Sequence, residues 1–248
     1  MTDAAAITKR IALITGANKG IGLETARQLA PLGITILLGS RDAARGEAAA
    51  QTLRDEGLDV TAFPLDVTSS DSIQQAAQQI ETQYGRLDIL INNAGVMLPG
   101  DFSPVSQTSL KTLRDTYDTN FFGLIELTQA LLPLIRKSNA GRIVNLSSIL
   151  GSNTLHSQPG SPIYDSKLLA YDSSKAALNS FTIHLAYELK DTLIKVNAAH
   201  PGWVKTDIGG DGATMELVDG AKTSVRLAML SADGPTGGYF HLDDTLPW

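Results

Sequence analysis

Short runs of apolar, largely β-branched residues recur along the chain at positions 11–15, 35–38, 60–65, 89–91, 143–146, 194–198 and 239–242. Each is three to six residues long and mainly apolar. That pattern predicts strands buried on both faces. Between them lie longer stretches with helical spacing or helix-favouring residues, at 21–32, 43–56, 72–84, 120–136 and 173–190. Regular alternation of strand and helix predicts an α/β fold: a doubly wound parallel sheet of about seven strands with helices on both faces. The alanine-interleaved glutamines Gln74, Gln75, Gln78 and Gln79 read as the solvated face of a helix that stops at Gly85. The breaker-rich stretches are 151–166, with Pro159, Gly160 and Pro162, and 209–212. Both read as loops at strand ends, and no shift in composition marks a second domain, so residues 1–248 are expected to form one domain.

Composition narrows the chemistry. Apolar residues make up 43% and charged residues 19% of the 248 positions, an ordinary globular balance. A net charge of -6 argues against nucleic acid as the main partner. With no cysteine, disulfides, thiolate nucleophiles and cysteine-bound metals are excluded, which suits the cytosol, and no metal site is expected. The first ten residues lack a secretory apolar stretch, and nothing approaches the roughly 20 apolar residues that span a bilayer, so no membrane partner is expected.

The first predicted strand runs into Thr15-Gly16-Ala17-Asn18-Lys19-Gly20-Ile21-Gly22 and then a helix. Glycines at such a turn let backbone amides approach a pyrophosphate at a helix N-terminus. Tyr171 and Lys175 are four residues apart and share a helical face, where a cation near the phenol is expected to lower its pKa and let it exchange a proton near neutral pH. Ser148, at the end of a strand, is placed to polarise a substrate oxygen. Tyr164 and Lys167 are a poorer pair, spaced by three in a Pro-rich stretch.

These motifs occur in a fixed order: the glycine turn, Asn92-Asn93-Ala94-Gly95 closing the fourth strand, Asn120 on the next helix, Val144-Asn145-Leu146-Ser147-Ser148, Tyr171-Asp172-Ser173-Ser174-Lys175, and Pro201-Gly202 after the sixth strand. Over essentially its whole length the chain resembles the short-chain dehydrogenase/reductase family, and its carbonyl-reductase-like members in particular. The resemblance implies a Rossmann fold and an NADPH/NADP+-dependent oxidoreductase that moves a hydride between the nicotinamide and a small ketone, aldehyde or secondary alcohol. It implies Asn120, Ser148, Tyr171 and Lys175 as the catalytic group, with Asn120 holding a water that links Lys175 to solvent. The other reading of Asn120 is a buried amide bridging helix to sheet.

For the cofactor, Gly16, Asn18, Gly20, Ile21 and Gly22 would line the pyrophosphate, while Tyr171 and Lys175 would meet the nicotinamide ribose. In this fold an acid after the second strand favours NAD and a basic residue favours NADP. Here Ser40 and Arg41 stand at that point, and Lys19 could pair with the 2'-phosphate from the other side. The plainer reading leaves Lys19 solvated and Arg41 paired with Asp42 or Glu47. Asp66 and Val67 resemble the family's adenine contacts, although Asp66 could instead cap a helix. Asn93, Ala94 and Gly95 would pack on the ribose, and Pro201, Gly202, Val204 and Thr206 resemble the loop over the carboxamide.

Substrate walls are expected from Met97, Leu98, Ile149, Leu155 and Trp203, with 209–220 as a lid. Trp203 as a core anchor and His156 as a surface residue are the bland readings. Twenty-three positions separate Ser148 from Tyr171, a long segment that carbonyl-reductase-like members also show, and it leaves open whether the chain is a homo-oligomer. Two rival functions are a 3-oxoacyl carrier-protein reductase, which needs a basic docking surface, and a non-catalytic NADP-binding redox sensor.

Overall fold

The computed structural model describes residues 9–248; residues 1–8, part of the stretch read above as lacking a secretory signal, lie outside the described residues. Strands β1 (Arg10–Ile14), β2 (Ile34–Ser40), β3 (Val60–Pro64), β4 (Ile89–Asn92), β5 (Arg142–Leu146), β6 (Lys195–Ala199), β7 (Tyr239–His241) and β8 (Asp244–Thr245) form one sheet in the order β3-β2-β1-β4-β5-β6-β7-β8. All neighbours are parallel except the β7–β8 pair. The first seven match the expected strands. The eighth is a two-residue antiparallel edge, too short and too polar to show as an apolar run.

Strand β1 shows why these segments are largely apolar on both faces. Its alternate side chains enter two cores: Leu13 packs with Leu37, Phe63, Ile73 and Leu131 on one face, while Ala12 and Ile14 pack with Leu29, Ile36 and Leu53 on the other. The faces are covered by α1 (Gly20–Leu29), α2 (Ala43–Asp55), α3 (Ser70–Tyr84), α4 (Leu110–Tyr117), α5 (Gly123–Ile135) and α7 (Leu169–Glu188), with the short α6 (Asn153–Ser157), α8 (Leu217–Gly220) and α9 (Lys222–Ala228). Among the described residues no helix is long and apolar enough to cross a membrane.

The short helices α6, α8 and α9 have no counterpart in the sequence reading, α6 forming within the stretch 151–166 expected to be a loop, and two longer helices also differ. Helix α4 was not expected: it is only eight residues long and buries only Thr116, but Ser109 caps it by accepting from Thr112 N at 3.0 Å. A π-turn at Asp118–Phe122 then joins it to α5, so Asn120 lies at an interruption within a longer helix, a kind of feature that recurs at functional sites. Helix α7 starts one turn earlier than the periodicity suggests, because acidic side chains described below take up its first amides.

Beneath the ends of β4 and β5 runs a buried polar chain. Asn92 Nδ2 donates to Thr128 Oγ1 (3.0 Å) and to Asn145 Oδ1 (2.9 Å), and Asn145 Nδ2 donates to Thr182 Oγ1 (2.9 Å). Asn92 and Asn145 are register partners. Because the chain leaves β1 toward β2 and β3 on one side and resumes at β4 on the other, strand order reverses between β1 and β4. The crevice above that reversal is where open α/β sheets hold ligands.

Candidate active site

The glycine turn lies at that crevice. Gly16 has φ +61°, a conformation that disfavours any side chain, and a Cβ on Gly22 would stand 2.5 Å from Asn93 Nδ2. The turn is fastened to its neighbours: Ala17 N donates to Gly39 O at 2.8 Å, and the Thr15 hydroxyl accepts from Asn93 N (3.0 Å) and Ala94 N (2.9 Å). Asn93 Nδ2 donates to Thr15 O at 2.7 Å. Helix α1 has neither a side-chain cap nor an acid in its first turn, so its first amides are not taken up by a side-chain cap. Such an N-terminus is suited to an anion.

The residues after β2 divide. Ser40 is buried, packs against Gly46 and donates its hydroxyl to Asp42 O at 2.7 Å, so the expectation that it faces a phosphate is corrected: its side chain points under α2. Arg41 is exposed and, among the described residues, makes no ion pair. The acids that could have taken it are occupied, Asp42 by Arg45 at 3.4 Å and Glu47 by Arg54 at 2.5 Å. Lys19 is not simply solvated; it forms an ion pair with Asp207, in the loop after β6. Asp66 closes a tight turn on Thr68, accepting from its N (2.9 Å) and Oγ1 (2.7 Å), while Ser69 caps α3. Val67 is buried, and its carbonyl lies where a Cβ on Gly123 would come within 2.0 Å.

Ser148, Tyr171 and Lys175 converge at the C-terminal end of β5. The Tyr171 phenol is buried, and burial pushes its pKa up to about 12, opposed by the nearby Ser148 hydroxyl. Burial also pushes Lys175 down to about 8. Its Nζ lies 5.6 Å from the centre of the Tyr171 ring and donates to Leu146 O at 2.8 Å. Burial thus moves the phenol in the direction opposite to the lowering expected from its neighbouring cation. The Ser148 hydroxyl accepts from Leu150 N at 3.3 Å, and its carbonyl accepts from the Tyr239 hydroxyl.

Asn120 is fully buried, with Oδ1 accepting from Val96 N (2.8 Å) and Nδ2 donating to Val96 O (2.9 Å) and Ser174 Oγ (3.0 Å). Both amide donors are thus spent on bracing the loop after β4 against α7. Yet Gly95 leaves a gap beside it: a Cβ there would be 3.5 Å from both Asn120 Oδ1 and Lys175 Nζ.

Met97, Leu98, Ile149 and Leu155 are half-buried around this end of the sheet. Trp203 is 58% exposed, which rules out a core anchor; its indole donates to Gly209 O at 2.8 Å and so pins the 209–212 loop. Pro201 and Val204 are buried, and Gly202 (φ +94°) is crowded by Met215. Thr206 donates to Val204 O (3.3 Å) and accepts from Gly209 N (3.0 Å), leaving its hydroxyl one further acceptor site.

Residues 10–216 match the profile of the family described as short chain dehydrogenase. The chain belongs to the short chain dehydrogenase family. It is 31% identical to (+)-neomenthol dehydrogenase of Capsicum annuum over 94% of this chain and 95% of that protein. It is 34% identical to carbonyl reductase [NADPH] 1 of Homo sapiens over 92% and 95% respectively. Among solved structures, the NADPH-bound carbonyl reductase from chicken fatty liver superposes with a TM-score of 0.82 at 28% identity, covering 97% of this chain and 99% of that one.

Within this short chain dehydrogenase, four residues that sequence reasoning left out of the site organise it. Thr15 ties the glycine turn to the loop after β4. His200 accepts at Nδ1 from Ile149 N (3.1 Å) and Gly202 N (3.4 Å), joining the loops after β5 and β6; burial, helped by nearby His241, pushes its pKa down to about 3. Tyr239 holds the Ser148 carbonyl and stacks on Trp248 with ring centres 5.3 Å apart. Asp101, fully buried, accepts from Ala170 N and Tyr171 N, each at 2.8 Å. Thr15 and His200 stand inside or beside motifs and were legible in principle. For Asp101 and Tyr239 no local signal exists, since their partners lie 70 and 91 positions away.

Proposed function

We propose that this short chain dehydrogenase is an NADPH-dependent carbonyl reductase, reducing a small ketone or aldehyde to an alcohol and running the reverse reaction with NADP+. The observation that carries the reading is the convergence of Ser148, Tyr171 and Lys175 beside the crevice lined by the glycine turn. The names of two relatives, carbonyl reductase [NADPH] 1 and (+)-neomenthol dehydrogenase, support the reading.

The residues present fit the cofactor. The side-chain-uncapped N-terminus of α1 and the space left by Gly22 suit a pyrophosphate, with Gly16, Asn18, Gly20 and Ile21 around it, and unpaired Arg41 suits a 2'-phosphate, with Lys19 as its second cation once released from Asp207. Asp66 and Val67 border the adenine end, Asn93, Ala94 and Gly95 the ribose, and Pro201, Gly202, Val204 and Thr206 the carboxamide end. The bound nicotinamide supplies or accepts the hydride. Ser148 orients the substrate oxygen, and Tyr171 gives that oxygen its proton as negative charge develops there. Lys175 holds the nicotinamide ribose and stabilises the phenolate that results. A water in the gap at Gly95, between Asn120 Oδ1 and Lys175, would return the proton from solvent.

Met97, Ile149, Leu155 and Trp203 give the mouth an apolar wall, which favours a moderately hydrophobic carbonyl compound. A carrier-protein substrate would need a basic docking face, but around the loop after β6 Lys205 pairs with Glu216 and Lys222 with Asp219. The test is steady-state turnover of menthone, an aryl ketone, an aldehyde and a 3-oxoacyl thioester, each with NADPH and with NADH. Reduction of the simple carbonyl compounds with NADPH is expected. Preference for the thioester would favour the carrier-protein reductase, and binding of NADPH without turnover of any of them would favour a sensor.

A further inference from the structure

Resting on the reading of Tyr171 as the proton donor, we propose that Asp172 is a positioning residue that holds Tyr171 in its protonated, reductive form, and that the segment between β5 and α7 sets the charge on Asp172. The argument starts from the place of Tyr171 in the first turn of α7. A helix N-terminus carries a partial positive charge and favours an anion nearby, here the phenolate. Two carboxylates stand at that terminus. Asp101, from the loop after β4, takes the amides of Ala170 and Tyr171, and Asp172 takes the amide of Leu168 at 2.9 Å through Oδ2. Together they offset the terminal charge next to the phenol, and Asp172 itself pushes the phenol ionisation upward.

The state of Asp172 is governed from outside its own helix. Its side chain is 12% exposed and its Oδ1 is buried without a hydrogen-bond partner. Burial, with Asp101 beside it, pushes its pKa up to about 7, while the Leu168 amide and Lys167 oppose that. His156, on α6 in the intervening segment, brings Nε2 to 2.9 Å from Leu150 O and 3.3 Å from Asp172 Oδ2. The Leu150 carbonyl can only accept, so Nε2 carries the proton, and Nδ1 is left to accept from Lys167 Nζ at 3.3 Å. With burial and Lys167 both lowering its pKa, His156 is neutral and serves as a hydrogen-bonding spacer rather than an ion-pair partner. Lys167, which reaches Nδ1 of His156, is therefore the cation that favours the ionised form of Asp172, less strongly than the Leu168 amide does, and Asp101, His156, Lys167 and Tyr171 are the titratable groups around it. The bland reading of His156 as a surface loop residue is corrected by these contacts.

The test compares pH profiles of kcat/KM in both directions for the parent, Asp172→Asn, Lys167→Met and Tyr171→Phe, using the best ketone and alcohol pair of the panel above. Asn keeps the acceptor for Leu168 N but cannot carry charge. Asp172→Asn should move the ionisation governing alcohol oxidation to lower pH by at least about 0.3 unit. Lys167→Met should move it the same way by less, and only below the pH at which Asp172 ionises unaided. Loss of KM or stability alone, with superimposable pH profiles, would overturn the proposal and leave Asp172 a mere helix cap. Should Asp172→Asn not fold, an unchanged profile in Lys167→Met would overturn it equally. Tyr171→Phe separates the two levels: if it keeps the parent's activity the reading of Tyr171 fails, and if it is inactive the profiles judge Asp172 alone.

Discussion

The Tyr239 hydroxyl donates to the carbonyl oxygen of Ser148, so the residue that would orient the substrate is held through its backbone by a strand far along the chain. Tyr239 in turn stacks on Trp248, whose carbonyl accepts from Thr154 N (3.0 Å) and Ser152 Oγ (3.2 Å). Replacing Tyr239 by Phe keeps the stack and removes the donor. An unsatisfied buried carbonyl costs about 1–3 kcal/mol, and urea unfolding should show a loss in that range. Turnover should fall through kcat more than through KM, because Ser148 acts on the developing charge; an unchanged kcat would show that Ser148 is held adequately without this bond.

Tyr171→Phe removes the proton donor and keeps the ring. Turnover should fall by about 100-fold or more, the scale of a lost general acid, while NADPH affinity measured by fluorescence titration stays within a few-fold of the parent. Activity within a few-fold of the parent would dismiss the acid role.

Arg41→Asp places a carboxylate where the free cation stands. NADPH binding should weaken by at least about tenfold, and NADH should gain relative to it, since an acid accepts from a free 2'-hydroxyl and repels a 2'-phosphate. Equal affinity of the parent for NADH and NADPH would remove the basis for this site.

Asp207→Asn frees Lys19 from its ion pair. Because the two side chains are 65% and 79% exposed, the effect should be small, roughly a two- to fivefold gain in NADPH affinity at low salt that disappears at high salt. Weaker binding in the variant would instead mean that Asp207 itself helps to hold the cofactor.

His200 links stability to pH. Its folded pKa, about 3, is depressed below the ordinary value of 6.5, so the unfolded chain takes up a proton that the folded one refuses between those limits. Stability from this residue is present above about pH 6.5 and declines as the pH falls, by about 1.4 kcal/mol per unit at most. His200→Asn offers Ile149 N and Gly202 N an acceptor that does not titrate, and urea unfolding at pH 6.5 and 4.5 should show a shallower dependence for it. Identical slopes would mean that His200 is protonated in the folded state.

The strands and the order of the motifs were legible because each depends on adjacent residues: buried parallel strands must be apolar, and a tight turn over a phosphate must use glycine. Side-chain direction was not. Ser40 belongs to the motif by position, but whether its hydroxyl faces a ligand or α2 depends on Gly46, six residues on. The phenol of Tyr171 illustrates a second limit, since spacing places a cation on its helical face, whereas burial, set by the whole fold, decides which way its proton equilibrium moves. Helix α4 was missed because it is only eight residues long and its apolar positions, Leu110, Leu113 and Tyr117, are too few to stand out and are not fully buried.

The paired asparagines beneath the strand ends work as an indexing pin. Asn92 and Asn145 meet only when β4 and β5 are in their native register, and a slip of one residue would carry both amides away from each other and from Thr128 and Thr182. The loop with Asn93 and Gly95 leaves the sheet directly above one of them, and Ser147 and Ser148 directly above the other. The relative height of the glycine-turn crevice and Ser148 is thus gauged from inside the protein.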